Sequence, residues 1–141
     1  MSFERFMKKN KAVKENTFYP ATASLCDENG KPLEWEIRAL TTKEAEKIRE
    51  KCTVDIPIPG KPGMYRQKVK EDYLPKLICA AIVSPNLYDA ELQDSYGVKN
   101  PEDLLLEMVD NPEEYNKLIM FVQSYSGINT SINEEIEEAK N

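Results

Sequence analysis

Residues 27–40, DENGKPLEWEIRAL, decide the fold class. Asn29-Gly30 lies inside the DENGKP segment, and this pair accepts the positive φ angles that a tight hairpin turn demands. Beyond it, Leu33, Trp35, Ile37 and Ala39 point one way while Glu34, Glu36 and Arg38 point the other. A period of two is the signature of a half-buried strand. Before the turn, Ala21, Ala23 and Leu25 alternate with polar residues, so the two runs are expected to pair as an antiparallel hairpin.

Towards the C-terminus the period changes. Thr41-Thr42-Lys43-Glu44 is a capping-box pattern, in which the Thr41 and Glu44 side chains each satisfy the other's free amide. The helix it opens has a thin apolar stripe of Ala45, Ile48 and Cys52, which predicts a surface helix laid on the sheet. Val54, Ile56 and Ile58 read as a further strand, confined to an edge by Pro57, with Met64 to Val69 returning as its partner. Tyr73, Leu74, Leu77, Ile78, Ala81 and Ile82 recur at helical spacing. With Cys79, Ala80 and Val83 they make a helix apolar nearly all round, the pattern of a central element. Ser84-Pro85-Asn86 ends it.

A short helix from Asp89 to Tyr96 should stop at Gly97, which suits a left-handed C-terminal cap. Asn100-Pro101-Glu102-Asp103 and Asn111-Pro112-Glu113-Glu114 each offer a capping Asn, a Pro at the first helical position and acids in the first turn. The predicted fold is α+β: a small N-terminal antiparallel sheet with a surface helix, packed on a C-terminal helical half. Residues 19–128 form one domain in this reading. Residues 1–18 are a mobile basic arm with Phe3, Phe6 and Met7 at helical spacing beside Lys8, Lys9, Lys11 and Lys14. Residues 129–141 are an acidic, weakly ordered tail whose apolar residues are Ile132 and Ile136.

Composition narrows the function. A chain of 141 residues can bury a core without staples. Its net charge of −6 argues against nucleic acid, whose phosphates need a surplus of Lys and Arg. Cys26, Cys52 and Cys79 form no paired motif, which points to a reducing, cytoplasmic setting and to thiols serving as small buried hydrophobes. No apolar run approaches the roughly 20 residues of a membrane span, and the basic start has no apolar stretch behind it to act as a secretory signal.

Histidine is absent, which removes the commonest general base and metal ligand. The glycines form no phosphate-cradling loop. Asp89, Glu91 and Asp94 could be drawn around a metal ion, but a capped, exposed short helix explains them better. No cofactor, metal or catalytic residue is expected. What the sequence offers instead is apolar surface turned away from the core. At about 100° per residue, Met120 falls nearly opposite Tyr115, Leu118, Ile119 and Val122, with Phe121 on the flank. Leu106 likewise points away from Leu104, Leu105, Met108 and Val109. A helix sandwiched between two layers would account for either residue alone. Two such residues on successive helices favour a contact site, and Leu106, Met120, Phe121 and Tyr125 are its candidate partner-binding side chains. Self-association would use the same features.

The run LICAAIVSPNLYDAELQDSYGVKNPEDLLLEMVDNPEEYNKLIMFVQSYSGI, with the earlier FMKKNK, DENGKPLEWEIRAL and IREKCT, resembles the XkdN-like tail assembly chaperones of Bacillus prophages. These are motifs of apolar, turn and capping residues, spread from about Phe6 to Ile128, and relatives often carry a glycine where this chain has DNPEEY. The resemblance implies a non-catalytic helper of tail morphogenesis. Such a protein coats the long apolar tape measure protein, keeps it soluble and brings in tail tube subunits. It also implies a short and a long form made by ribosomal slippage, this chain being the short one, with Ala139-Lys140-Asn141 able to carry a slippery heptamer. The competing expectations are a structural tail or baseplate subunit and a metal-dependent carboxylate hydrolase.

Overall fold

A computed structural model describes residues 2–128; the expectations for the acidic tail and for Ala139-Lys140-Asn141 lie outside them. A turn forms within DENGKP, but of the Asn29-Gly30 pair only Gly30 takes a positive φ. Gly30 has φ 80°, the Asp27 amide donates to the Lys31 carbonyl at 2.8 Å and the Leu33 amide to that of Leu25 at 2.9 Å. The strand leading into it is displaced. β1 is Thr17–Tyr19, and it pairs antiparallel with β2, Trp35–Ile37, setting Thr17 opposite Ile37 and Tyr19 opposite Trp35. Thr-Phe-Tyr combines β-branched and aromatic residues, which favour a pleated surface more than the alanines at 21 and 23 do. Thr17 and Phe18, assigned to the arm by sequence, therefore belong to the sheet.

Ala21 to Leu25 is drawn off the strand by a tie the alternation does not show. The Glu114 carboxylate accepts from the Thr22 hydroxyl at 2.7 Å and the Ala23 amide at 2.8 Å. These bonds, the amide's first, hold Glu114 below the usual carboxylate range. They join the hairpin to the helical half.

α1, Thr42–Lys51, opens with the predicted capping box at Thr41 and Glu44 and leaves Ala45 and Ile48 half-buried, with Cys52 buried at its end. Glu44 also binds the Arg38 guanidinium, with Nη1 to Oε1 at 3.0 Å. That hydrogen bond, seconded by Thr41, lowers the Glu44 carboxyl from the ordinary 4.5 to about 2. A depressed folded-state pKa stabilises the fold above the ordinary value, and this contribution is lost as pH falls from about 4.5 to about 2. The side chains are 34% and 36% exposed, so solvent screening keeps the pair's worth below about 1 kcal/mol. Glu44→Gln should accordingly lower the urea midpoint slightly at pH 7, and the difference should vanish by about pH 2.

β3, Thr53–Pro57, and β4, Tyr65–Val69, pair antiparallel with Thr53 opposite Val69 and Pro57 opposite Tyr65. They form a sheet of their own, so the N-terminal half carries strands in two sheets rather than one. α2, Tyr73–Ala81, is the central helix: Tyr73, Leu77, Ile78, Cys79 and Ala81 are buried, and α1 packs on it.

α2 ends two residues before Val83, which sequence placed inside it. β5, Ile82–Ser84, instead joins the first sheet as its third strand, in the order β1-β2-β5, with Ile82 opposite Ile37. Ile82 and Val83 are β-branched, and Ser84 precedes a proline, which disfavours helical backbone there.

α3, Ala90–Ser95, is capped by Asp89, whose carboxylate accepts from the Leu92 amide at 2.8 Å; Gly97 follows at φ 69°. α4, Pro101–Met108, and α5, Pro112–Ser126, take Asn100 and Asn111 as caps with proline in the first turn, and α5 closes on left-handed Gly127. Both pack against α2.

Candidate functional site

The inner faces of α4 and α5 are spent on the core. Leu104, Leu105 and Met108 are buried on α4, as are Leu118, Ile119 and Val122 on α5. The outer faces differ from each other in chemistry. On α4, Leu106 is 44% exposed between Asp103 and Glu107. On α5, Met120 is 66% exposed on the same face as Asn116, Lys117 and Ser124, while Glu113 and Lys117 form an ion pair at 3.2 Å. Both side chains stand where helical geometry put them, out of the core and in water.

Phe121 and Tyr125 are half-buried, and what covers them is the chain's own N-terminal segment. Tyr19 of β1 stacks on Phe121 with ring centroids 4.3 Å apart, and Phe121 lies nearly parallel to Tyr125 at 6.0 Å. The Lys14 ammonium sits 4.1 Å from the centroid of the Tyr125 ring and donates to the Tyr125 carbonyl. The Tyr125 hydroxyl donates in turn to the carbonyl of Glu15. Lys14 and Tyr19 are thus part of the site, though sequence reasoning missed them. They meet α5 across more than 100 positions, beyond the reach of any local pattern.

Between the arm and the rest lies a groove of about 540 Å³, walled by Ala12 and Val13 on one side and by Leu40 and Tyr125 on the other. Further out, Glu4–Phe6 and Lys8–Asn10 are short 3-10 turns rather than the amphipathic helix that the spacing of Phe3, Phe6 and Met7 allowed. Those three side chains are exposed.

Cys52 and Cys79 are buried, and burial pushes the Cys79 thiol up to about 12, a setting in which it stays protonated and inert. Cys26 corrects the expectation of three buried thiols: it is exposed in the hairpin, where its backbone lies opposite Pro32 and its side chain stands outside the core. The Asp89 carboxylate is used as a helix cap, and among the described residues no group of three or more His, Cys, Asp or Glu side chains could hold a metal ion. Among the same residues, no helix is long and apolar enough to cross a membrane.

The architecture is that of a solved protein described as yqbN. The match has a TM-score of 0.71 and covers 92% of this chain and 98% of that one, at 14% identity, so it speaks for the fold alone. Among curated proteins, none matches the sequence significantly. Residues 3–140 match the family model described as phage XkdN-like tail assembly chaperone protein, and the chain belongs to that family.

Proposed function

We propose that this chaperone binds apolar helical stretches of a tape measure protein, shields them from water in the bacterial cytoplasm and recruits tail tube subunits, without catalysing a reaction. The observation that carries this reading is the exposure of Leu106 and Met120 on helices whose other large aliphatic side chains are buried. A single exposed aliphatic residue is ordinary on a protein surface. Here there is one on each of two helices that pack on the same central element, in a family devoted to tail assembly. Fully burying a Leu or Met side chain yields about 1.5–3 kcal/mol, enough for a reversible hold on a partner that must later be released. The acidic residues beside Leu106 keep the free protein soluble and favour partner segments that carry Lys or Arg next to their apolar face.

Co-expression with a fragment of the tape measure protein tests this. The fragment should move from the insoluble to the soluble fraction and co-purify with the chaperone. A fragment that stays insoluble rejects the reading. Stable homopolymers formed without the fragment would point to a structural tail or baseplate subunit.

A further inference from the structure

Lys8 and Lys11 line the groove beside Tyr125, and among the described residues neither has a carboxylate partner. Lys9 and Lys14, by contrast, are engaged, the first with Glu4 and the second with Tyr125. Between the two unpaired cations the walls are apolar, with Ala12, Val13 and Leu40. A second hollow of about 430 Å³ continues the groove across Lys11 and Leu40 to Ala45 and Ile128. Cations beside apolar walls suit a ligand that carries carboxylates next to aliphatic side chains. Glu46 lines the second hollow and so steers carboxylates towards the Lys8–Lys11 end.

We propose that the occupant is residues 129–141 of the same chain, NTSINEEIEEAKN, docked with Ile132 and Ile136 against Leu40 and Val13 and with their glutamates against Lys8 and Lys11. The chemistry matches: Glu134, Glu135, Glu137 and Glu138 surround Ile136, and Lys140 is the segment's one base. The chain also delivers the segment to the groove, because Gly127 lines both hollows and Ile128 lines the second. Four residues span at most about 14 Å, so Ile132 stays within that distance of Ile128. A tether this short gives an effective concentration of the order of millimolar, at which contacts too weak to hold a separate peptide suffice. The docked segment closes the groove beside Tyr125 and offsets the charge of the basic arm. This inference goes beyond the tape measure reading and is independent of it, since it uses neither Leu106 nor Met120.

The test uses the full chain and V8 protease, which cuts after glutamate. Cleavage between Glu134 and Glu138 is followed by mass spectrometry and compared with that of a synthetic peptide of residues 129–141. In the wild-type protein these bonds should be cut about 5-fold more slowly than in the peptide, or slower still, at a rate independent of protein concentration. Lys8→Ala combined with Lys11→Ala leaves the cleaved sequence unchanged and removes two exposed ion pairs, so cleavage should rise about 2- to 5-fold. Lys8→Arg combined with Lys11→Arg keeps the charges and should behave as wild type. Raising NaCl from about 50 to about 500 mM screens the same contacts and should speed cleavage of the wild-type protein relative to the peptide. Bonds cut as fast in the protein as in the peptide, or protection that survives the double alanine change, would overturn the proposal. Protection that grows with protein concentration would also overturn it, because the segment would then dock on a second copy. None of these outcomes touches the solubilisation of the tape measure fragment through Leu106 and Met120, so the two readings fail separately.

Discussion

Leu106→Glu and Met120→Glu should each weaken capture of a tape measure fragment by about 30-fold or more, the loss that follows truncation of a binding hot spot, while leaving folding almost untouched. A carboxylate forced into an apolar contact either stays charged at a high desolvation cost or keeps the partner at a distance. In the free protein neither change meets that penalty, because both side chains already stand in water. Substitutions at such surface positions usually shift stability by less than about 0.5 kcal/mol. Urea denaturation and binding measured on the same preparations separate the two effects. A variant that unfolds would show that its residue belongs to the core and that the partner surface has been misplaced.

The largest effect on folding is expected at Trp35. This side chain is 2% exposed on the middle strand of the three-stranded sheet, and β1 and β5 flank it. Trp35→Ala removes a large aromatic from a packed interior and should cost about 3–5 kcal/mol, a large share of the 5–15 kcal/mol typical of a whole domain. Leu33→Ala is the control. Alternation puts Leu33 on the same face as Trp35, yet Leu33 is 46% exposed beyond the end of β2. Its replacement should cost less than about 0.5 kcal/mol. Equal losses at the two positions would mean that the strand extends further towards the turn than β2 does.

That contrast shows where local pattern stops being informative. The ends of the capped helices were legible because their signals are local and stereochemical, unlike the end of α2, which carries no such cap. Thr41, Asp89, Asn100 and Asn111 cap the helices they precede, and Gly97 and Gly127 take the left-handed angles that end them. Of these, Gly127 alone had no part in the sequence reading. Strand boundaries were less legible, because a strand is defined by its partner. The Ala21–Leu25 run alternates correctly but is held out of the sheet by Glu114, a residue some 90 positions away. Ile82–Ser84 continues the apolar run of α2 and becomes a strand because the edge of β2 is open to it.

The same division applies to the candidate site. The outward direction of Leu106 and Met120 follows from counting residues around a single helix, and the structure leaves both exposed. The covering of Phe121 and Tyr125 depends on where a distant basic segment comes to rest. The cluster of Lys8, Lys9, Lys11 and Lys14 was visible in the sequence as charge, but its seat on α5 was not. Composition carries no address for a tertiary contact.

The proposed surface for the partner is the set of water-exposed aliphatic side chains on α4 and α5. Hydrogen exchange of the full chain, free and saturated with a tape measure fragment, tests that most directly. Binding should slow exchange along α4 from Asp103 to Met108 and along α5 from Lys117 to Tyr125, and leave β3 and β4 unchanged. Protection confined to the β3–β4 sheet, or no change in α4 and α5 while the complex is present, would contradict it.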